Sequence, residues 1–177
     1  MPVGALSLPI ASVLTGQPEV IGSSVLAASA ASVSFQFPPV YRAVAFEVFI
    51  KKDVTNGSIQ ARLNNDSGAN YAYQYIYATA AVVGGARSTG QTLTYLGVDS
   101  PGSNGRWACS GLVVKTTAAA KAQMLTIASE GLAAGIVVSQ IGTEWNNTTD
   151  LLSRLDIIQS AGNFAANTAI TLWGYRL

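Results

Sequence analysis

Between residues 43 and 63 the chain reads AVAFEVFIKKDVTNGSIQARL. Val44, Phe46, Val48 and Ile50 recur at every second position, and that period of two belongs to a strand with one buried face. Asn56-Gly57 follows, a dipeptide that suits the positive-φ backbone of a tight turn. Ile59, Ala61 and Leu63 then alternate with Ser58, Gln60 and Arg62. The stretch is expected to form a β-hairpin, and it sets the class of the fold as all-β.

The same alternation extends in both directions. Upstream, Val33, Phe35 and Phe37 alternate with Ser32, Ser34 and Gln36 until Pro38-Pro39 ends the run. Downstream, the turn cluster Asn64-Asn65-Asp66-Ser67-Gly68 leads into Tyr71, Tyr73, Tyr75 and Tyr77, two apart and on one sheet face. Further strands are expected at 93–97, 107–116, 136–141, 151–159 and 169–175. Gly84-Gly85, Ser88-Thr89-Gly90 and residues 100–105 read as turns or loops. The alanine-rich stretch 118–125 has helical propensity, but strands surround it, and a loop followed by a strand is expected there. Eight or nine short strands with frequent turns predict an antiparallel, jelly-roll-like β-sandwich.

Residues 1–31 differ. They are rich in Ala, Ser, Val, Leu, Pro and Gly, carry one charge, Glu19, and hold neither a strand nor a helix period. An extended N-terminal arm is expected, with a short strand at Glu19-Val20-Ile21, before a sandwich domain over 32–177. No basic n-region precedes the apolar residues, and Pro2, Gly4, Pro9 and Gly16 interrupt them, so a secretory signal is not expected. No apolar run approaches the roughly 20 residues of a membrane helix.

Composition narrows the function. The chain of 177 residues is 49% apolar and has ten basic against nine acidic residues. Lys51-Lys52 is the only adjacent basic pair, which argues against nucleic acid as the partner, because phosphate neutralisation needs clustered cations. High apolar content with sparse charge points to a surface covered by copies of the chain or by a larger assembly. There is no histidine and a single cysteine, Cys109. A Ser-His-Asp triad and an internal disulfide are thereby excluded.

The candidate sites divide between chemistry and packing. Residues 64–68 offer oxygen ligands, but with one carboxylate they read as an Asx turn and not as a calcium loop. Asp99, Glu130, Glu144, Asp150 and Asp156 could supply acid pairs for glycoside hydrolysis, yet no spacing selects a pair. Cys109 lies in an apolar strand pattern and reads as a buried, inert thiol. Asn146-Asn147-Thr148-Thr149 holds glycosylation sequons, discounted without a secretory signal. No catalytic residue, metal or cofactor is expected. The candidate interface anchors are Tyr71, Tyr73, Tyr75, Tyr77, Trp145, Val20 and Ile21. Packing into the sheet is the rival reading for the tyrosines. Trp107 and Trp173, in strand patterns, are expected in the core.

Two segments resemble a β-sandwich (jelly-roll) domain of tailed-bacteriophage virion proteins. In the first, a strand from Tyr41 leads to Arg62, Asn64, Asp66, Gly68, Asn70 and Tyr71, similar to that domain's Arg-x-Asn-Gly-Asp turn with a following Gly and an Asn-Tyr pair. Asn65 stands where the domain has glycine. In the second, Leu155-Asp156-Ile157-Ile158, Gly162-Asn163-Phe164-Ala165-Ala166 and Ile170-Thr171-Leu172-Trp173-Gly174 resemble its last two strands, with Asn167 and Trp173 in place of Gly and Tyr. The resemblance spans roughly 32–177 and carries no catalytic residues. Such domains occur as head decoration (cement) proteins and in tail fibres. With one sandwich, one arm and no shaft or attachment module in view, the expectation is a homotrimeric cement protein. Made in the host cytoplasm, it would bind the major capsid protein on the outer capsid surface. A tail-fibre domain that recognises host glycan is the alternative.

Overall fold

A computed structural model describes residues 17–53, 57–79, 81–98, 103–132 and 135–176. They form twelve strands. β1 is Glu19–Val25, β2 Ser32–Gln36, β3 Ala43–Lys51, β4 Ile59–Leu63, β5 Tyr71–Ala78 and β6 Val83–Gln91. β7 is Thr94–Gly97, β8 Ser103–Val114, β9 Ala122–Leu132, β10 Gly135–Trp145, β11 Arg154–Gln159 and β12 Ala169–Tyr175. Two antiparallel sheets face each other as a β-sandwich. The larger has eight strands in the order β1-β12-β3-β8-β9-β10-β5-β6, and the smaller has four, β2-β11-β4-β7.

The alternation read from sequence sets the core. Val44, Phe46, Val48 and Ile50 of β3 point inward, as do Trp107, Cys109 and Val113 of β8. Ile59, Ala61 and Leu63 of β4 and Leu155 and Ile157 of β11 meet them from the smaller sheet. Burying a side chain of this size is worth about 1.5–3 kcal/mol, so these alternating positions dominate the stability of the fold.

Three expectations need correction. Residues 43–63 are not a hairpin. β3 pairs with β12 and β8, whereas β4 pairs with β11 and β7 in the other sheet. The segment between them carries the chain from one sheet to the other. Its described end is fixed at Gly57, whose carbonyl accepts from Lys52 Nζ at 2.9 Å and Gln159 Nε2 at 3.0 Å. Gly57 has φ 129°, and a Cβ there would sit 2.9 Å from the Ala161 carbonyl oxygen, so glycine is needed to turn the corner rather than to close a hairpin. Gly84-Gly85 and Ser88-Thr89-Gly90, expected as turns or loops, lie within the edge strand β6. Its small residues make room for the tyrosine row, since a Cβ on Gly84 would lie 2.7 Å from the Tyr77 hydroxyl. β8 begins at Ser103, inside the expected loop.

The alanine-rich stretch is a loop followed by β9, as expected. The strand expected at Glu19-Val20-Ile21 extends to Val25 and is the edge of the larger sheet, paired with β12. Leu26 and Ala30 continue the attachment through hydrogen bonds to residues 164–168. Arg176 Nε donates to Glu19 at 2.9 Å and closes the start of β1 onto the C-terminus. Residues 1–16 of the expected arm lie outside the described residues.

A candidate interaction surface on the larger sheet

Eight strands face four, and the inner side of the larger sheet supplies half the core. Its outer side is apolar too. Phe49 lies between Val48 and Ile50 and is 58% exposed; Leu125 and Ile127, between Met124, Thr126 and Ala128, are 48% and 53% exposed. Cross-strand register puts these residues in rows. One row runs from Val25 on β1 through Phe49 on β3, Ala108 on β8 and Val138 on β10 to Val83 on β6. Another passes from Trp173 on β12 through Leu112 and Leu125 to Gly142.

The middle of this face carries no charge. The outward positions of β8 from Ala108 to Val114, of β9 from Gln123 to Ser129 and of β10 from Ile136 to Gly142 hold only apolar, Ser, Gln or Gly residues. Glu47 on β3 and Arg87 on β6 flank the strip, and Arg106 of β8 and Glu144 of β10 mark its ends. Three shallow, open hollows lie on it. One is floored by Gly142 between Leu125 and Gln74, one lies beside Ser110 between Leu112 and Trp173, and one beside Ala108 between Phe49 and Val138. Pro18 lines the second, so the chain enters β1 at the margin of this face.

The tyrosine row points the other way, towards the smaller sheet. Tyr71 has no exposed surface, and its hydroxyl accepts from the Leu63 N–H at 2.9 Å and donates to the Leu63 carbonyl at 3.2 Å. Burial raises the Tyr71 pKa. Tyr73, Tyr75 and Tyr77 are half-buried beyond the edge of the smaller sheet. Tyr73 and Tyr75 stack at 6.2 Å, and Tyr95 of β7 meets both edge-on at 5.1 and 6.2 Å. Trp145 is also wholly buried. Tyr71 and Trp145 are therefore core residues in this structure and offer no surface to a partner. Val20 is exposed on the outer face, while Ile21 packs against the core. Trp107 is in the core as expected; Trp173 is half-buried on the outer face.

The ionisable candidates are engaged in the architecture. In the turn at 64–68, Asp66 Oδ1 accepts the Gly68 N–H at 2.8 Å, and Oδ2 accepts Trp145 Nε1 at 2.7 Å and Asn70 Nδ2 at 2.9 Å. Burial works to raise its pKa, but these donors hold the carboxyl below the ordinary value. Asn64 and Asn65 take positive φ, 53° and 56°, the backbone that an Asx turn tolerates. Glu130 forms a buried pair with Lys52 at 3.3 Å. Glu144 pairs with Lys121 at 2.8 Å, and Asp156 with Arg154 at 2.8 Å. Asp150 accepts from Asn147 Nδ2 at 2.7 Å. Asp99 lies outside the described residues. Burial pushes the Cys109 thiol up to about 12.

Comparison with protein-family models, with curated proteins and with solved structures yields no match.

The sequence carried a signal for the outer face that alternation alone obscures. Ile136-Val137-Val138 and Val48-Phe49-Ile50 are unbroken apolar runs. In a strand, such a run means that both faces are apolar. An antiparallel sheet at the surface of a free monomer normally has one polar face.

Proposed function

We propose that this chain is a non-enzymatic structural protein of a tailed-phage virion, a decoration protein that binds the outer surface of the head and stabilises it. Its partners are the major capsid protein and further copies of itself. The observation that carries this reading is the uncharged, largely apolar strip across the middle of β8, β9 and β10 on the outer face of the eight-stranded sheet, which nothing among the described residues covers. An area of that width is characteristic of proteins that function within an assembly. Many copies, each bridging neighbouring shell subunits, would resist outward pressure through multivalency.

Co-sedimentation of the full chain with capsid shells that lack it tests the proposal. Saturable binding is expected, weakened by Ile127→Glu on the outer face. Truncation should stop at residue 16, because β1 belongs to the sheet. Failure to bind shells, with adsorption to host cells, would favour a tail-fibre domain that recognises glycan. The half-buried rings of Tyr73, Tyr75 and Tyr77 give that second reading its support, since aromatic rings stack on sugars.

A further inference from the structure

We infer that the outer face of the eight-stranded sheet is a self-association surface, on which a second copy of this chain packs sheet against sheet. This rests on the structural-protein reading and names the first partner of that surface.

Size is the first argument. Eight strands about 4.8 Å apart make a face about 34 Å wide. The central strands β8, β9 and β10 have 12, 11 and 11 residues, and a strand rises about 3.3 Å per residue. The face offers on the order of 1,000 Å², above the roughly 800 Å² per partner of a standard stable interface.

Relief is the second. Large and small side chains alternate across the rows. Leu112, Leu125 and Ile127 stand as a ridge, and the hollows at Gly142, Ser110 and Ala108 lie on either side of it. The inner faces of two stacked sheets interdigitate in this way. In a two-fold pairing each surface meets its own copy, so one surface must supply both ridge and hollow.

Charge is the third. From Ala108 to Val114 of β8, Gln123 to Ser129 of β9 and Ile136 to Gly142 of β10 no outward side chain is ionisable, so no charge is desolvated at the centre; Glu47, which borders two of the hollows, and Arg87, Arg106 and Glu144 lie around it. An acidic or basic partner would find no complement there. A second copy needs none.

Two substitutions test the surface without entering the core. Ile127→Glu places a charge on the ridge. Gly142→Arg fills a hollow, and a Cβ at Gly142 meets nothing within 4 Å, so the fold tolerates it. Val40→Glu alters an exposed apolar residue outside the strands and serves as the control. Light scattering behind size exclusion, at roughly 50 μM protein, should give the full chain a mass at least twice the 18.3 kDa of one copy. Ile127→Glu and Gly142→Arg should each return 18.3 kDa with unchanged circular dichroism, and Val40→Glu should stay associated. A wild-type mass of 18.3 kDa, or an oligomer that survives both face variants, would overturn the inference. Shell binding by a monomeric wild-type chain, lost in Ile127→Glu, would also overturn it and assign the face to the capsid protein. An oligomer sensitive to both variants that ignores shells would retain the inference and sink the decoration reading.

Discussion

The ammonium of Lys115 lies 5.1 Å from the centre of the Trp145 ring, and both side chains are almost wholly buried. Lys115 donates to the carbonyls of Ala118, Ala120 and Asn147. One cation thus ties the loop between β8 and β9 to the segment after β10, over the indole that also donates to Asp66. Burial lowers the Lys115 pKa, while Asp150 acts to raise it. Lys115→Met would leave three carbonyls without this donor. Destabilisation of about 2–3 kcal/mol is expected, read as a lower urea midpoint at unchanged m-value. Lys115→Arg should recover only part of it, because a planar fork does not reproduce a compact ammonium among three carbonyls.

Asp66 governs part of the acid response. Against the effect of burial, its carboxyl is held below the ordinary aspartate value by the N–H donors of Trp145, Asn70 and Gly68. A depressed folded-state pKa contributes stability above the unfolded value, and that contribution is lost as pH falls through the folded one. Asp66→Asn should therefore be less stable than wild type at pH 7, and the gap should narrow as the pH is taken below about 4. Urea titrations of both proteins at pH 7 and pH 3 check this; a gap of constant size would remove Asp66 from the acid transition.

Thr126 points into the sandwich with no exposed surface, and its hydroxyl has no hydrogen-bond partner among the described residues. Thr126→Val keeps the shape and removes the orphaned oxygen. A gain of about 1 kcal/mol is expected, visible as a higher melting temperature. A lower melting temperature would mean that the hydroxyl has found a partner, such as buried water.

Cys109 reports opening of the sandwich. With its thiol pushed up to about 12 and its sulfur 3.4 Å from the Leu96 carbonyl, almost no thiolate forms near neutrality. Labelling by a disulfide reagent at pH 8 should run more than ~1,000-fold slower in the native protein than in urea. Fast native labelling would contradict its placement between the sheets.

The sequence showed the strands that bury one face and hid those that bury neither or both. Phe35, Ile59 and Leu155 stand between polar neighbours, so their strands and their inward direction were legible. β6 was not, because Gly84, Gly85 and Gly90 mimic turns when their real constraint is the bulk of Tyr77 and the bend towards β7. Gly57 does take a positive φ, but the strand after it pairs with β11 and β7 and not with β3. Local turn chemistry cannot tell a hairpin from a crossover when both edges of β3 are occupied from elsewhere in the chain. For the site, Trp145 read as an anchor because aromatic residues dominate interfaces and it lay beyond the strand expected at 136–141. Its burial depends on Tyr71, Asp66 and Lys115, which reach it from three other segments. The outer face was written in the sequence as double-sided apolar runs, but its continuity exists only in the pairing of β3, β8, β9, β10, β5 and β6.

Core and outer face are carried by alternate residues of the same strands, so the two are independent under substitution and inseparable under insertion. Point changes at 125, 127, 138 or 142 alter the outer face while Met124, Ala128 and Ile141 keep packing undisturbed. One residue added to or removed from the middle of β9 would turn the rest of that strand over, sending Ile127 inward and Thr126 outward. Length in β8, β9 and β10 should therefore drift only at their ends, and diversity should concentrate at the outward positions between.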